Sequence, residues 1–121
     1  MNIFKNYLDK IKKVITPKFK DLNIDSKIDF KGALFEIPPE SFDFDLSSNI
    51  ALVLAKKSNQ NPRQLAVQIK DILIANFQEF KEIQIAGPGF LNFTLNEAIK
   101  KNIIFEIIKL KNKFGSSIEK N

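Results

Sequence analysis

The sequence has no cysteine, no histidine and no tryptophan. Disulfides, thiol nucleophiles, imidazole bases and zinc sites built on Cys or His are therefore excluded. A chain without disulfides fits a reducing compartment, and a cytoplasmic location is expected. No stretch approaches the roughly 18 consecutive apolar residues of a membrane span, and the first helical pattern is amphipathic rather than a continuous signal-peptide core. A soluble, unsecreted protein with no membrane partner is the expectation.

At 121 residues, with 44% hydrophobic and 27% charged positions, the chain can bury a usable core as one unit. Lys and Arg number 19 against 14 Asp and Glu, a net charge of +5. That excess points to an acidic partner, either nucleic acid or a phospholipid surface. Lys, Asn and Ile are abundant along the whole chain, so composition alone does not separate a functional basic face from a general compositional bias.

Phe4, Tyr7, Leu8, Ile11, Val14 and Ile15 recur at the spacing of one helical face, which predicts a helix over 2–15 ended by Thr16-Pro17. Its lysines, Lys5, Lys10, Lys12 and Lys13, read as a solvated face on a core-packing helix, with a membrane or RNA surface as the alternative. Lys27 to Pro38 reads as one or two short strands, one of them over Leu34 to Ile37. Phe42, Phe44 and Leu46 alternate with Asp43 and Asp45, as in another strand or an extended entry into a helix. With no histidine, glycine-rich loop or third acidic ligand nearby, Asp43 and Asp45 suit strand or capping positions better than catalysis or metal binding. No catalytic residue and no metal site are expected.

Ser47 or Ser48 is expected to cap a helix running to about Lys57. Asn61-Pro62 opens the next, with Leu65, Ala66, Ile69, Ile72 and Leu73 facing inward. Asn96 caps a last helix that turns Ile99, Ile103, Ile107, Leu110 and Phe114 inward and Lys100, Lys101, Lys109, Lys111 and Lys113 outward. Gly115-Ser116-Ser117 stops it. This order predicts an α+β fold, a small mostly antiparallel sheet with about four helices packed on it. Residues 1–114 would form the domain and 115–121 the start of a linker.

The most informative stretch is 82–95, which reads as two strands joined by Gly87-Pro88-Gly89. Proline suits the second position of a type I or II turn, and Gly89 the positive φ that type II needs at the third. Ile83, Ile85, Leu91, Phe93 and Leu95 fall on one face; Gln84, Phe90, Asn92 and Thr94 fall on the other. Phe90 is the odd residue of its set. Either that face is covered and Phe90 is core, or an aromatic ring and an amide stand together on an open surface, an arrangement suited to an unstacked base.

Three blocks carry a resemblance to a known family: Asp45-Leu-Ser-Ser-Asn-Ile-Ala-Leu-Val-Leu-Ala-Lys-Lys57, Asn61-Pro-Arg63 and Ile85-Ala-Gly-Pro-Gly-Phe-Leu-Asn-Phe93. In order and spacing they resemble the N-terminal appended domain of arginyl-tRNA synthetase, and Phe114-Gly-Ser-Ser is similar to the passage that precedes the catalytic domain there. The resemblance implies a parent enzyme that activates arginine with ATP and transfers it to tRNA for arginine. ATP, magnesium and arginine would belong to that parent's catalytic domain. Its signature, His-Ile-Gly-His or a close variant, cannot occur in a chain without histidine, so no cofactor and no catalysis are expected here.

In the family this domain contacts the D-loop at the outer corner of the tRNA, through an aromatic after the turn and an amide two positions on. Those positions match Phe90 and Asn92. Some members place a further contacting asparagine where this chain has Gly87, and many have glycine where it has Phe44. Lys100 and Lys101 are candidates for phosphate contact. The expected partners are tRNA for arginine and the catalytic domain of the parent; the rival role is a protein-interaction module that docks on such a partner without touching RNA.

Overall fold

The computed structural model describes residues 3–37, 44–99 and 101–102. Helix α1, Ile3–Ile15, buries Tyr7, Ile11 and Ile15 of the predicted stripe in the core, with Leu8 and Val14 packed partly buried against it. Pro17 cannot continue the helical hydrogen-bond ladder, and the chain tightens into a 3-10 turn at Thr16–Lys18. Successive hydrogen-bonded turns then carry Phe19, Leu22 and Ile24 into the core.

Four strands form one antiparallel sheet: β1 Phe35–Glu36, β2 Leu46–Ser48, β3 Phe80–Ala86 and β4 Phe90–Leu95, in the order β1-β2-β4-β3. Helices α2, Ile50–Ser58, and α3, Pro62–Asn76, lie between β2 and β3 in sequence. Asn61 caps α3 as expected, its side chain accepting from the Gln64 backbone N–H at 3.0 Å. The class is α+β.

The core lies between the helices and one face of the sheet. Leu91 and Phe93 of β4, Leu46 of β2 and Ile83 of β3 are all on that face and buried. Phe93 sits at its centre, edge-on to Phe35 with ring centroids 5.3 Å apart and 4.7 Å from Phe80. Burying such a side chain contributes about 1.5–3 kcal/mol.

The Asp45–Asn49 block is occupied with backbone. Asp45 accepts from the Leu95 N–H at 2.8 Å, tying the start of β2 to the end of β4. Ser48 is a strand residue rather than the expected helix cap. Its Oγ donates to the Leu34 carbonyl at 2.7 Å and accepts from the Ile50 N–H at 3.2 Å. Asn49 takes the N-cap position of α2 without making a cap bond. Its amide instead accepts from the Leu34 N–H at 2.9 Å and donates to the Gly32 carbonyl at 3.0 Å, which clamps the loop before β1.

The last helix starts where expected. Asn96 Oδ1 accepts from the Ala98 N–H at 3.0 Å, and the backbone is helical at 97–99 and 101–102. Phe42, Asp43, Lys100, the expected continuation of that helix past residue 102 to Phe114 and the expected 115–121 linker lie outside the described residues.

Candidate nucleic-acid interface

Strands β3 and β4 pair from Phe80↔Leu95 to Ala86↔Phe90, with a bulge between Phe80 and Glu82. The reversal pivots one residue earlier than the Pro and Gly rules suggested. The Gly89 N–H donates to the Ala86 carbonyl at 3.2 Å, so Gly87, with φ 55°, is the first central residue and Pro88 the second. Positive then negative φ is the type II′ pattern, whose twist matches that of the flanking strands. The start of α3 braces this turn: the Arg63 guanidinium donates from Nη1 to the Gly87 carbonyl.

Beyond the turn, the side chains facing away from the core form rows across the sheet. Glu36 pairs with Ser47, Ser47 with Asn92, and Asn92 with Gln84, one polar row over all four strands. Phe90 lies two residues from Asn92 on the same face and is 39% exposed. Its ring comes down over the turn, since a Cβ built on Gly87 would lie 3.8 Å from Phe90 Cδ2.

Phe90 and Asn92 thus share a face as the alternation required, but not equal access to solvent. Asn92 is only 7% exposed. Among the described residues, nothing hydrogen-bonds its amide, and no fully buried side-chain polar atom lacks a partner. The amide atoms therefore reach the surface while the rest of the side chain is covered. An amide that reaches the surface without a protein partner is open to hydrogen-bond a ligand in place of solvent. An exposed ring with an unpaired amide beside it can stack on a planar base and hydrogen-bond its edge.

The charge around the site is uneven. Glu36 and Glu82 stand on the open face, and Arg63 at the turn. Lys57 is spent elsewhere: its ammonium reaches Asp29 Oδ1 at 2.6 Å and the carbonyls of Asp29 and Lys31 at 3.1 and 2.9 Å. That contact, with the Lys31 N–H, holds the Asp29 carboxyl below its ordinary range. Lys101 is exposed on the last helix, an element separate from the hairpin.

Two residues at the site were not singled out from the sequence. Arg63 occupies the first turn of α3, where the helix dipole disfavours a cation; that mismatch is the signal that it has a specific partner. Gln84 was assigned to the Phe90 and Asn92 set, but only the register shows that it sits directly opposite Asn92.

The chain is similar to known proteins of one kind. Residues 5–95 match the family described as the arginyl tRNA synthetase N terminal domain. The arginine–tRNA ligase of Rickettsia akari (strain Hartford) is 39% identical over 114 residues, 94% of this chain and 19% of that protein. The arginine–tRNA ligase of Rickettsia bellii (strain OSU 85-389) is 38% identical over 122 residues, covering 100% of this chain and 20% of that protein. The chain therefore belongs to the arginyl-tRNA synthetase N-terminal domain family, and it spans about a fifth of the length of these relatives.

Proposed function

We propose that the open face of the β3–β4 hairpin binds the D-loop corner of tRNA for arginine, in support of arginylation by a parent synthetase. Phe90 stacks on an unpaired base and Asn92 hydrogen-bonds its edge. The observation that carries this reading is the unpaired Asn92 amide beside the exposed Phe90 ring. Base stacking on an aromatic contributes about 1–3 kcal/mol, so the domain alone binds weakly and depends on the rest of the parent for avidity. ATP, magnesium and arginine act in the parent's catalytic domain, and this chain performs no chemical step.

A docking role toward the catalytic domain has its own observation. Val67 and Ile74 are 48% and 40% exposed on the side of α3 opposite its buried residues. This surface lies away from the sheet's open face, so both roles fit one molecule. A salt titration separates them: binding of tRNA for arginine weakens steeply with salt as counterion release loses its driving force, whereas apolar docking changes little. Salt-independent binding of the tRNA contradicts the RNA reading.

A further inference from the structure

The face offers a second amide with a fixed orientation. Gln84 lies directly opposite Asn92 across the β3–β4 ladder, a pairing that brings side chains on one face to about 4.5–5.5 Å between Cβ atoms. Two residues along β3 on the same face, Glu82 Oε2 accepts from Gln84 Nε2 at 2.8 Å. An ionised carboxylate only accepts. The nitrogen of the Gln84 amide must therefore be the end that faces Glu82, and the carbonyl oxygen is turned away from it. Among the described residues that oxygen has no protein donor.

Resting on the reading that this face binds an unpaired base, we infer that Gln84 is a second base-reading residue, held by Glu82 as an acceptor for an exocyclic amino group of the base stacked on Phe90. Asn92 can donate and accept; Gln84, with one amide N–H held on Glu82, turns its carbonyl oxygen outward as an acceptor. An acceptor so placed is matched by the exocyclic amino group of adenine, guanine or cytosine, a group that uracil lacks. Glu82 also sets polarity, because its charge repels phosphate from this end of the face. The nucleic-acid backbone is left to pass on the side of the turn, where Arg63 stands.

The test uses the 121-residue chain and transcripts of tRNA for arginine in which each D-loop purine is replaced singly by its analogue without the amino group, inosine for guanosine and purine riboside for adenosine. For the wild-type chain, one replacement is expected to weaken binding about tenfold, the effect of one good hydrogen bond. Gln84→Ala should show the same loss with the unmodified transcript and no further loss with that replacement. Glu82→Gln, which lets the Gln84 amide turn either way, should narrow the gap between the two transcripts. Circular dichroism on each variant confirms the fold. If Gln84→Ala binds every transcript as wild type does while Phe90→Ala binds poorly, base binding stands and the Gln84 assignment is overturned. The assignment is equally overturned if Gln84→Ala keeps the full penalty for the missing amino group. If Phe90→Ala also binds as wild type does, the underlying reading fails and this inference with it.

Discussion

Gly89 and Pro62 approach so closely that a side chain on the glycine would press on the proline. A Cβ on Gly89 would lie 3.0 Å from Pro62 Cβ and 3.1 Å from the Pro62 carbonyl carbon and oxygen, and Gly89 has a φ of 147°. Space and backbone conformation thus both disfavour other residues, and the first residue of α3 packs on the hairpin turn. Together with the Arg63 bond to Gly87, this contact fixes the tip from which Phe90 projects.

Gly89→Ala is therefore expected to destabilise the domain by more than about 2 kcal/mol, since steric overlap adds to backbone strain. Gly87 is different: at its φ of 55° a side chain strains the backbone, but the nearest atom to an added Cβ is 3.8 Å away. Gly87→Ala should therefore cost less than Gly89→Ala, because its strain comes from the backbone alone. Urea denaturation of both variants checks the contrast, and equal losses would contradict it.

The two phenylalanines of β4 should behave as opposites. Phe93 is fully buried and Phe90 is 39% exposed. Phe93→Ala is expected to cost about 3–5 kcal/mol, as buried Phe truncations do, and Phe90→Ala much less. Comparable midpoint shifts in denaturant would place Phe90 in the core.

Tyr7 gives the stability a dependence on alkaline pH. Its hydroxyl donates to Glu79 Oε2 at 3.1 Å. Burial first, then the Glu79 charge and the hydrogen bond to it, push the Tyr7 pKa up from 10.0 to about 12. Folding thus favours the protonated phenol. Its contribution is fully present below the unfolded value of 10.0 and is lost as pH rises through about 12. Wild type should exceed Tyr7→Phe by about 1 kcal/mol at pH 8, and that advantage should disappear by pH 12. A gap that stays constant across this range would show that Tyr7 titrates alike in both states.

Much of the fold is legible because its cues are local. The stripe of α1, the Asn61-Pro62 start of α3, the Asn96 cap and the hairpin alternation each depend on residues a few positions apart. The rest depends on distant partners. Phe19, Leu22 and Ile24 are buried from short turns that carry no periodicity. Ser48 reads locally as a cap, yet its hydroxyl is committed to Leu34. The turn slipped by one residue because Pro and Gly propensities allow more than one phase, and the strand twist selects among them. Alternation placed Asn92 on the right face, but how far it is covered depends on the two strands that flank β4.

Asn49 tests the non-local part directly. Its amide closes two backbone hydrogen bonds to the loop before β1, so Asn49→Ala should cost about 1–3 kcal/mol. Asn49→Asp should not restore stability, because a carboxylate cannot donate to the Gly32 carbonyl. Thermal unfolding that finds Asn49→Asp equal to wild type would show that the Gly32 bond contributes nothing.

The central claim is that the exposed ring and unpaired amide of β4 hold an RNA base. The most direct measurement is the affinity of wild type, Phe90→Ala and Asn92→Ala for tRNA for arginine across a range of salt concentrations. Both variants should remain folded and bind about tenfold or more weakly, with the salt slope nearly unchanged because no phosphate contact is lost. If both bind as wild type does at every salt concentration, the hairpin face is not the RNA site.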